Sequence, residues 1–254
     1  MTVAHLADRT VIDVSGPARL DFLDGLFTVS VADMAPGTLR YGALLTPQGK
    51  IVTDLFVHAE ADRLRLDVPE AAAADLTRRL TMYKLRAAVE LAASDDPVVV
   101  GIGAPDPRAD GLPARQIGGA ADGARTFYDS ARVAAGVPDA ALDFALGDTF
   151  PHDANMDHFG GVDFQKGCFV GQEVVSRMRH RGTARRRTVR VTAEAPLPDG
   201  EVMAGEKAIG KVGTRVGEAG LAIVRLDRAV GPLTVGGVPV HLSVPDGAAF
   251  SLPA

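Results

Sequence analysis

The hydrophobic period of the chain changes close to residue 185, and this change constrains the fold more than any other feature. Beyond Thr188, Val189, Val191 and Ala193 alternate with Arg190 and Thr192. Further on, Val238, Val240, Leu242 and Val244 alternate with Pro239, His241 and Ser243. A period of two places one set of side chains on one face of a strand. Leu221–Leu226 is a further strand, and glycine-bearing turns separate these runs. Short, evenly spaced strands in residues 185–254 predict a small all-β barrel or sandwich.

Upstream the pattern is mixed. Val11-Ile12-Asp13-Val14 predicts a strand, and Ser15-Gly16-Pro17 then opens a helix that Ser15 can cap. Leu20, Phe22, Leu23, Leu26 and Phe27 follow at helical spacing and predict an apolar core face. Tyr41–Thr46 and Ile51–His58 flank the turn Pro47-Gln48-Gly49-Lys50, a candidate hairpin. Leu64, Leu66 and Val68 alternate with charged residues as a half-buried strand. Glu70–Met82, with Leu76 and Leu80 four apart, predicts a helix, and Val89–Leu91 and Val98–Ile102 predict strands. Strands and helices mix without strict βαβ alternation, which favours an α+β class. Ala104–Gly123 reads as a loop or a weakly specified edge. Phe150–Val170 is a long, polar, glycine-bearing stretch of the kind that often carries function.

Composition narrows the function classes. Cys168 is the only cysteine among 254 residues. One thiol excludes an intramolecular disulfide, a multi-thiolate metal site, and a four-cysteine iron–sulfur cluster held by one chain. It favours a reducing compartment; the N-terminal run does not read as a secretory leader and no stretch of the sequence approaches 18 consecutive apolar residues, so a cytoplasmic location and no membrane partner are expected. The six histidines match no zinc spacing, so no metal site is expected. Walker A, dinucleotide-binding, G-x-S-x-G and H-E-x-x-H patterns are missing. The net charge of −5 is uneven: residues 177–190 hold seven arginines and no acidic residue, giving +7 against −12 for the remainder. Such a stretch fits an anionic ligand or partner, or is neutralised by acidic neighbours in the fold. The absence of tryptophan and the presence of only three tyrosines argue against an aromatic stacking surface for single strands.

The most unusual run is Lys166-Gly167-Cys168-Phe169-Val170-Gly171-Gln172-Glu173. A helix starting near Gly171 would bring its positive end, together with Lys166, close to the thiol, and both favour thiolate. The competing reading is a small buried Cys168. No histidine or aspartate at local spacing completes a cysteine–histidine pair.

This run closely resembles the K-G-C-[YF]-x-G-Q-E signature of the YgfZ family, folate-binding proteins related to the T-protein, or aminomethyltransferase, of the glycine cleavage system. Phe169 stands where most carry tyrosine. The resemblance extends to Phe22–Thr28, to the hairpin Leu44–Asp54, to Arg179-His180-Arg181-Gly182, and to Gly210–Gly213 and Leu221–Leu226. It implies a folate-binding α+β body with a central hole over residues 1–184, built of two intertwined subdomains with a hairpin and helix subdomain at about 40–125, followed by a small β-barrel over 185–254.

Further implications are residue by residue. Arg132-Val133-Ala134-Ala135-Gly136 resembles the T-protein's R-L-E-A-G run, which makes Arg132 a candidate for the glutamate tail of folate. Ala134 replaces the family glutamate. Asp54 matches the hairpin aspartate near the folate ring, where a carboxylate can bind a pterin or move a proton; alternatively it is a surface strand residue. Tyr41, Lys166, Gly167, Gly171, Gln172 and Glu173 complete the expected cofactor-binding set, with Cys168 and Asp54 as the reactive groups. The Y-T-G-E-x-G stretch that holds the pterin in the T-protein is missing, a departure from aminomethyl transfer. The leading expectation is a folate-dependent accessory protein for iron–sulfur cluster assembly or repair, serving iron–sulfur client enzymes that include tRNA-thiolating ones. It would carry tetrahydrofolate or a one-carbon derivative. The alternatives are a tetrahydrofolate-dependent one-carbon transferase and a module making weak tRNA contact through Arg177–Arg190.

Overall fold

The computed structural model describes residues 2–182 and 184–253; Thr183, inside the arginine-rich stretch, and the two terminal residues lie outside the described residues. The body runs β1 (Ala4–His5), β2 (Arg9–Ser15), α1 (Arg19–Asp24), β3 (Leu39–Leu45), β4 (Ile51–Ala59), β5 (Arg63–Pro69) and α2 (Glu70–Lys84). It continues with β6 (Glu90–Ser94), β7 (Val98–Ala104), β8 (Arg115–Ile117), α3 (Thr126–Ala135) and α4 (Gln172–Arg181). The barrel follows as β9 (Arg186–Ala193), β10 (Glu201–Ala204), β11 (Lys207–Val216), β12 (Ala219–Arg225), β13 (Leu233–Val235) and β14 (Val238–Ser243).

Alternation in β3 and β4 decides the architecture of the body. These strands belong to a five-stranded sheet of order β3-β4-β5-β2-β6. Leu44, Val52, Leu55 and Val57 face one side and pack on Leu23, Phe27 and the α2 residues Leu76 and Leu80. Tyr41, Ala43, Leu45, Ile51 and Phe56 face the other side and pack on Phe144, Met156, Phe169 and Val175. Both sides are covered, so both registers of the strand read as apolar. A smaller sheet, β1-β7-β8, packs its valines on Tyr128 of α3.

The strands beyond residue 185 close into a six-stranded barrel of order β10-β11-β12-β9-β14-β13, as the alternation predicts. Val189, Val191, Val202, Val212, Val224 and Val240 fill it. The barrel is tied to the body by polar contacts. Arg187 donates to both carboxylate oxygens of Asp157 (2.6 and 3.0 Å) and to the His152 carbonyl (2.8 Å), while Asn155 donates to the Thr188 carbonyl (2.8 Å).

Three local expectations change. Ser15 is the last residue of β2 and caps nothing; Ala18 occupies the N-cap of a six-residue α1 with no side-chain cap. Gly16, at φ 100°, makes the turn, pressed so close to the Ala88 carbonyl that a Cβ would sit 2.3 Å from it. Leu26 and Phe27 lie past the helix, and Phe27 is fully buried there. The expected loop 104–123 contains β8, and α3 follows it unannounced. The buried stripe of α3 is Tyr128, Arg132 and Val133, so a charged residue interrupts the apolar period that would reveal the helix.

Candidate functional site

The run 166–173 forms a loop held at both ends and open in the middle. Asp163 starts it by accepting the backbone N–H groups of Gln165 (2.8 Å) and Lys166 (3.1 Å). The Lys166 ammonium then turns inward and donates to the carbonyls of Phe27 (2.9 Å), Val29 (3.2 Å) and Asp24. These acceptors lie at and just beyond the C-terminal end of α1, where carbonyls have no intrahelical donor. The Lys166 side chain is 2% exposed, and burial draws its pKa down. Lys166 is therefore a clamp on α1, and its cation is engaged by carbonyls rather than directed to stabilising a thiolate.

Phe169 forms the second anchor, buried among Tyr41, Phe56 and Val175. Gly171 sits at φ 82° as the N-cap of α4, and a Cβ there would lie 2.6 Å from the Thr46 carbonyl and 3.1 Å from the Gly49 Cα. The α4 entrance is thus pressed onto the β3–β4 turn, and only glycine meets both demands. Gln172 donates its side-chain amide to the Gly167 carbonyl (3.4 Å), closing the loop. A Cβ at Gly167 would meet nothing within 4 Å, and Cys168 is exposed. The buried reading of Cys168 is excluded: the loop displays the thiol. Glu173, exposed on the first turn of α4, pairs with Arg177.

Beside the loop lies an open cleft of about 640 Å³, lined by residues that include Ser30, Arg40, Tyr41, Asp163 and Lys166. Tyr41 forms part of its lining, and its hydroxyl donates to Asp54 Oδ2 (3.3 Å). Asp54 is completely buried, not a surface strand residue. Burial, more than the Asp139 charge, raises its pKa from 3.8 to about 6, against the opposing pull of Arg9, whose guanidinium is 3.7 Å away.

Asp54 belongs to a network that fills the middle of the body. Asp67 pairs with Arg9 and with Arg115 (2.6 Å), and Arg115 also donates to the Tyr128 hydroxyl (2.6 Å). Arg108 pairs with Asp106 (2.8 Å) and, with Arg115, lies over the Phe56 ring at 4.7 and 3.9 Å. Arg132, expected to meet a ligand's carboxylate, instead serves the fold. It is fully buried and donates to Asp143 (2.7 Å), Asp129 (2.8 Å), Thr214 of the barrel (3.0 Å) and the Val137 carbonyl (3.1 Å). Its two terminal nitrogens are engaged by the protein, and Nε is buried without a hydrogen-bond partner, so the side chain is enclosed by the fold rather than open to a folate tail.

The expected cofactor-binding residues therefore separate into groups. Tyr41 and Lys166 meet at the cleft, Gly167 to Glu173 form the thiol loop, and Asp54 and Arg132 are enclosed. The enclosed pair does not fit a bound folate: neither reaches open space, and Lys166 and Arg40 at the cleft already have partners. The central network, which sequence reasoning missed apart from Asp54 and Arg132, had no local signal: Arg9 follows Asp8 and Arg108 lies between Asp106 and Asp110, so both read as ordinary surface charges.

Architecture and site define an aminomethyltransferase fold with a closed C-terminal barrel and a displayed cysteine. The crystal structure of glycine cleavage system aminomethyltransferase T from Bartonella henselae superposes with a TM-score of 0.75 at 19% identity, over 96% of this chain and 85% of that one. Residues 185–250 match the CAF17 C-terminal beta-barrel domain. The mitochondrial iron–sulfur cluster assembly factor IBA57 homolog of Pyricularia oryzae is 30% identical over 290 residues, spanning 92% of this chain and 74% of its own length. Human mitochondrial IBA57 is 26% identical, over 98% of this chain and 83% of its own. The chain belongs to the CAF17/IBA57 family of iron–sulfur cluster assembly factors.

These relatives correct the expected cytoplasmic location, because they are named as mitochondrial proteins. A lone free thiol indicates a reducing environment and does not distinguish one reducing compartment from another. No described helix is long and apolar enough to cross a membrane.

Proposed function

We propose that this chain is an accessory protein of iron–sulfur cluster assembly in which Cys168 supplies one thiolate to a cluster that a partner brings. One thiol cannot complete the ligands of a cluster. The thiol proton leaves to solvent, the sulfur binds iron, and the remaining ligands come from the partner or a small thiol. The observation that carries this reading is the display of Cys168 between two buried anchors, Lys166 and Phe169. The family relationship supports it, as does the likeness of residues 166–173 to the YgfZ signature. The division into a body of residues 1–184 and a barrel of 185–254 belongs to the same proposal, supported by the domain match that begins at residue 185.

The test is complementation of a strain lacking its own family member, with the activity of a client iron–sulfur enzyme as readout. Cys168→Ala is expected to accumulate as folded protein and fail to restore activity, while Asp54→Asn restores it. Full rescue by Cys168→Ala overturns the proposal. The competing one-carbon transfer reading draws on Asp54, whose pKa near 6 suits acid–base work. It predicts the reverse pattern, with Asp54→Asn inactive and Cys168→Ala active.

A further inference from the structure

The arginine-rich stretch after the thiol loop is not accounted for by the fold. Of its seven arginines, Arg187 is buried against Asp157 and Arg177 pairs with Glu173. The other five, Arg179, Arg181, Arg185, Arg186 and Arg190, have no carboxylate within 4.0 Å among the described residues. Neutralisation by acidic neighbours thus covers two of the seven.

The arrangement of the exposed members is directional. In α4, Val175 faces the core and Val174 packs on Gly49, while Glu173, Arg177, His180 and Arg181 are exposed. Their spacing places them on one stripe of the helix. The helix is about 15 Å long and begins just after the thiol loop, so the stripe leads away from Cys168 over roughly one to two Debye lengths at 0.1 M salt. Arg185 and Arg186 are also exposed, but Arg186 lines a separate cleft with Asp148 and Arg225, so the stripe is confined to α4.

Resting on the reading of Cys168 given above, we propose that this stripe is the docking surface for an acidic protein. That protein presents its own cysteine ligands to Cys168 and lays carboxylates along Arg177, His180 and Arg181. The rest of the chain carries −12, so the stripe is the place where an acidic partner is attracted rather than repelled. Aromatic side chains for stacking bases are not offered beside it. Phe169 is buried, and the Phe164 ring is covered by the Arg179 guanidinium at 4.0 Å. This favours a protein over single-stranded RNA.

The test uses two short peptides, one Glu-rich and one Lys-rich, each with a single cysteine activated as a pyridyl disulfide. The Cys168 thiolate attacks the peptide sulfur, a Cys168–peptide disulfide forms, and pyridinethiolate leaves, so electrons balance within the reagent. At low salt the Glu-rich peptide is expected to react about tenfold faster than the Lys-rich one, and the rates are expected to converge at high salt. Arg177→Glu with Arg181→Glu, both on the exposed face, is expected to reverse the preference, and the lysine pair Arg177→Lys with Arg181→Lys to preserve it. Equal rates at low salt, or no effect of the reversal, overturn the docking surface. Bulk tRNA that displaces the Glu-rich peptide at physiological salt overturns it in favour of RNA. Non-covalent binding of the Glu-rich peptide to Cys168→Ala, read by fluorescence anisotropy, keeps the two proposals apart: it survives if only the cluster-ligand reading fails and is lost if the surface fails.

Discussion

Replacing Asp54 by asparagine tests whether the centre of the body is a strained electrostatic network. Asp54 is fully buried, its Oδ1 has no hydrogen-bond partner, and its ionised form is disfavoured by burial first and by the Asp139 carboxylate second. Its pKa rises from 3.8 to about 6. A carboxylate whose folded pKa is raised leaves stability intact below its unfolded pKa and removes it as pH rises towards the folded value. At about 1.4 kcal/mol per pKa unit, ionised Asp54 destabilises the fold by about 3 kcal/mol at pH 7.5. At pH 4.5 the same arithmetic gives only about 1 kcal/mol. Asparagine keeps the shape and never ionises, so the variant's advantage is expected to grow from about 1 to about 3 kcal/mol between those pH values. Asp67, Asp106 and Asp139 act in the opposite sense, their pKa values held down by arginines, so their stabilisation fades as pH falls. Held down in this way, all three stay ionised in both folded proteins between pH 4.5 and 7.5, so the pH dependence of the difference reports Asp54. Urea unfolding of wild type and variant across this range gives the result directly. An advantage that does not change with pH, or a variant less stable than wild type at pH 7.5, refutes the reasoning.

Other substitutions test the two anchors and the clamp between body and barrel. Arg132→Met strands the carboxylate of Asp143 beside that of Asp139, and is expected to lower unfolding free energy by roughly 3–5 kcal/mol in urea melts. Lys166→Met leaves the carbonyls of Asp24, Phe27 and Val29 without their donor; a loss of roughly 2–4 kcal/mol is expected, with faster amide exchange across residues 163–172. Gly171→Ala meets both a φ of 82° and the Thr46 carbonyl, and is expected to lower thermal stability by roughly 1–3 kcal/mol. Cys168→Ala, at an exposed position, is expected to stay within about 0.5 kcal/mol of wild type by the same measurement, so any loss of function is chemical.

How much of this was readable before the fold depends on which physical signal each element carries. The barrel announces itself because a period of two survives wherever one face of a strand is buried. The hairpin, α2 and the thiol run are equally local: alternation, a four-residue leucine repeat and a glycine-flanked cysteine. The central network is not local. Arg9, Asp54, Asp67, Arg108 and Arg115 come from β2, β4, β5, the 104–123 segment and β8, and nothing in their spacing says they meet. The same reason hid α3, whose buried stripe includes Arg132 as a member of that network. Lys166 was legible as a neighbour of Cys168 along the chain, but one residue of loop separates a side chain that turns in from one that turns out.

The division of labour between these two regions follows from their chemistry. A network in which Asp67 holds Arg9 and Arg115, and Asp143 and Asp129 hold Arg132, cannot release one member to a ligand without leaving another buried charge unpaired. Breaking such a pair destabilises by several kcal/mol, so a ligand entering the centre would have to replace the partner it displaces. The thiol loop has no such constraint. Its close packing lies at Gly171 and its polar satisfaction at Lys166, the two ends of the loop, while Cys168 is exposed and no side chain packs where a Gly167 Cβ would stand. On the proposed reading of Cys168, a partner engages the thiol, withdraws and engages again while the body stays folded, the behaviour that reading requires of a protein that passes a cluster on rather than keeping it.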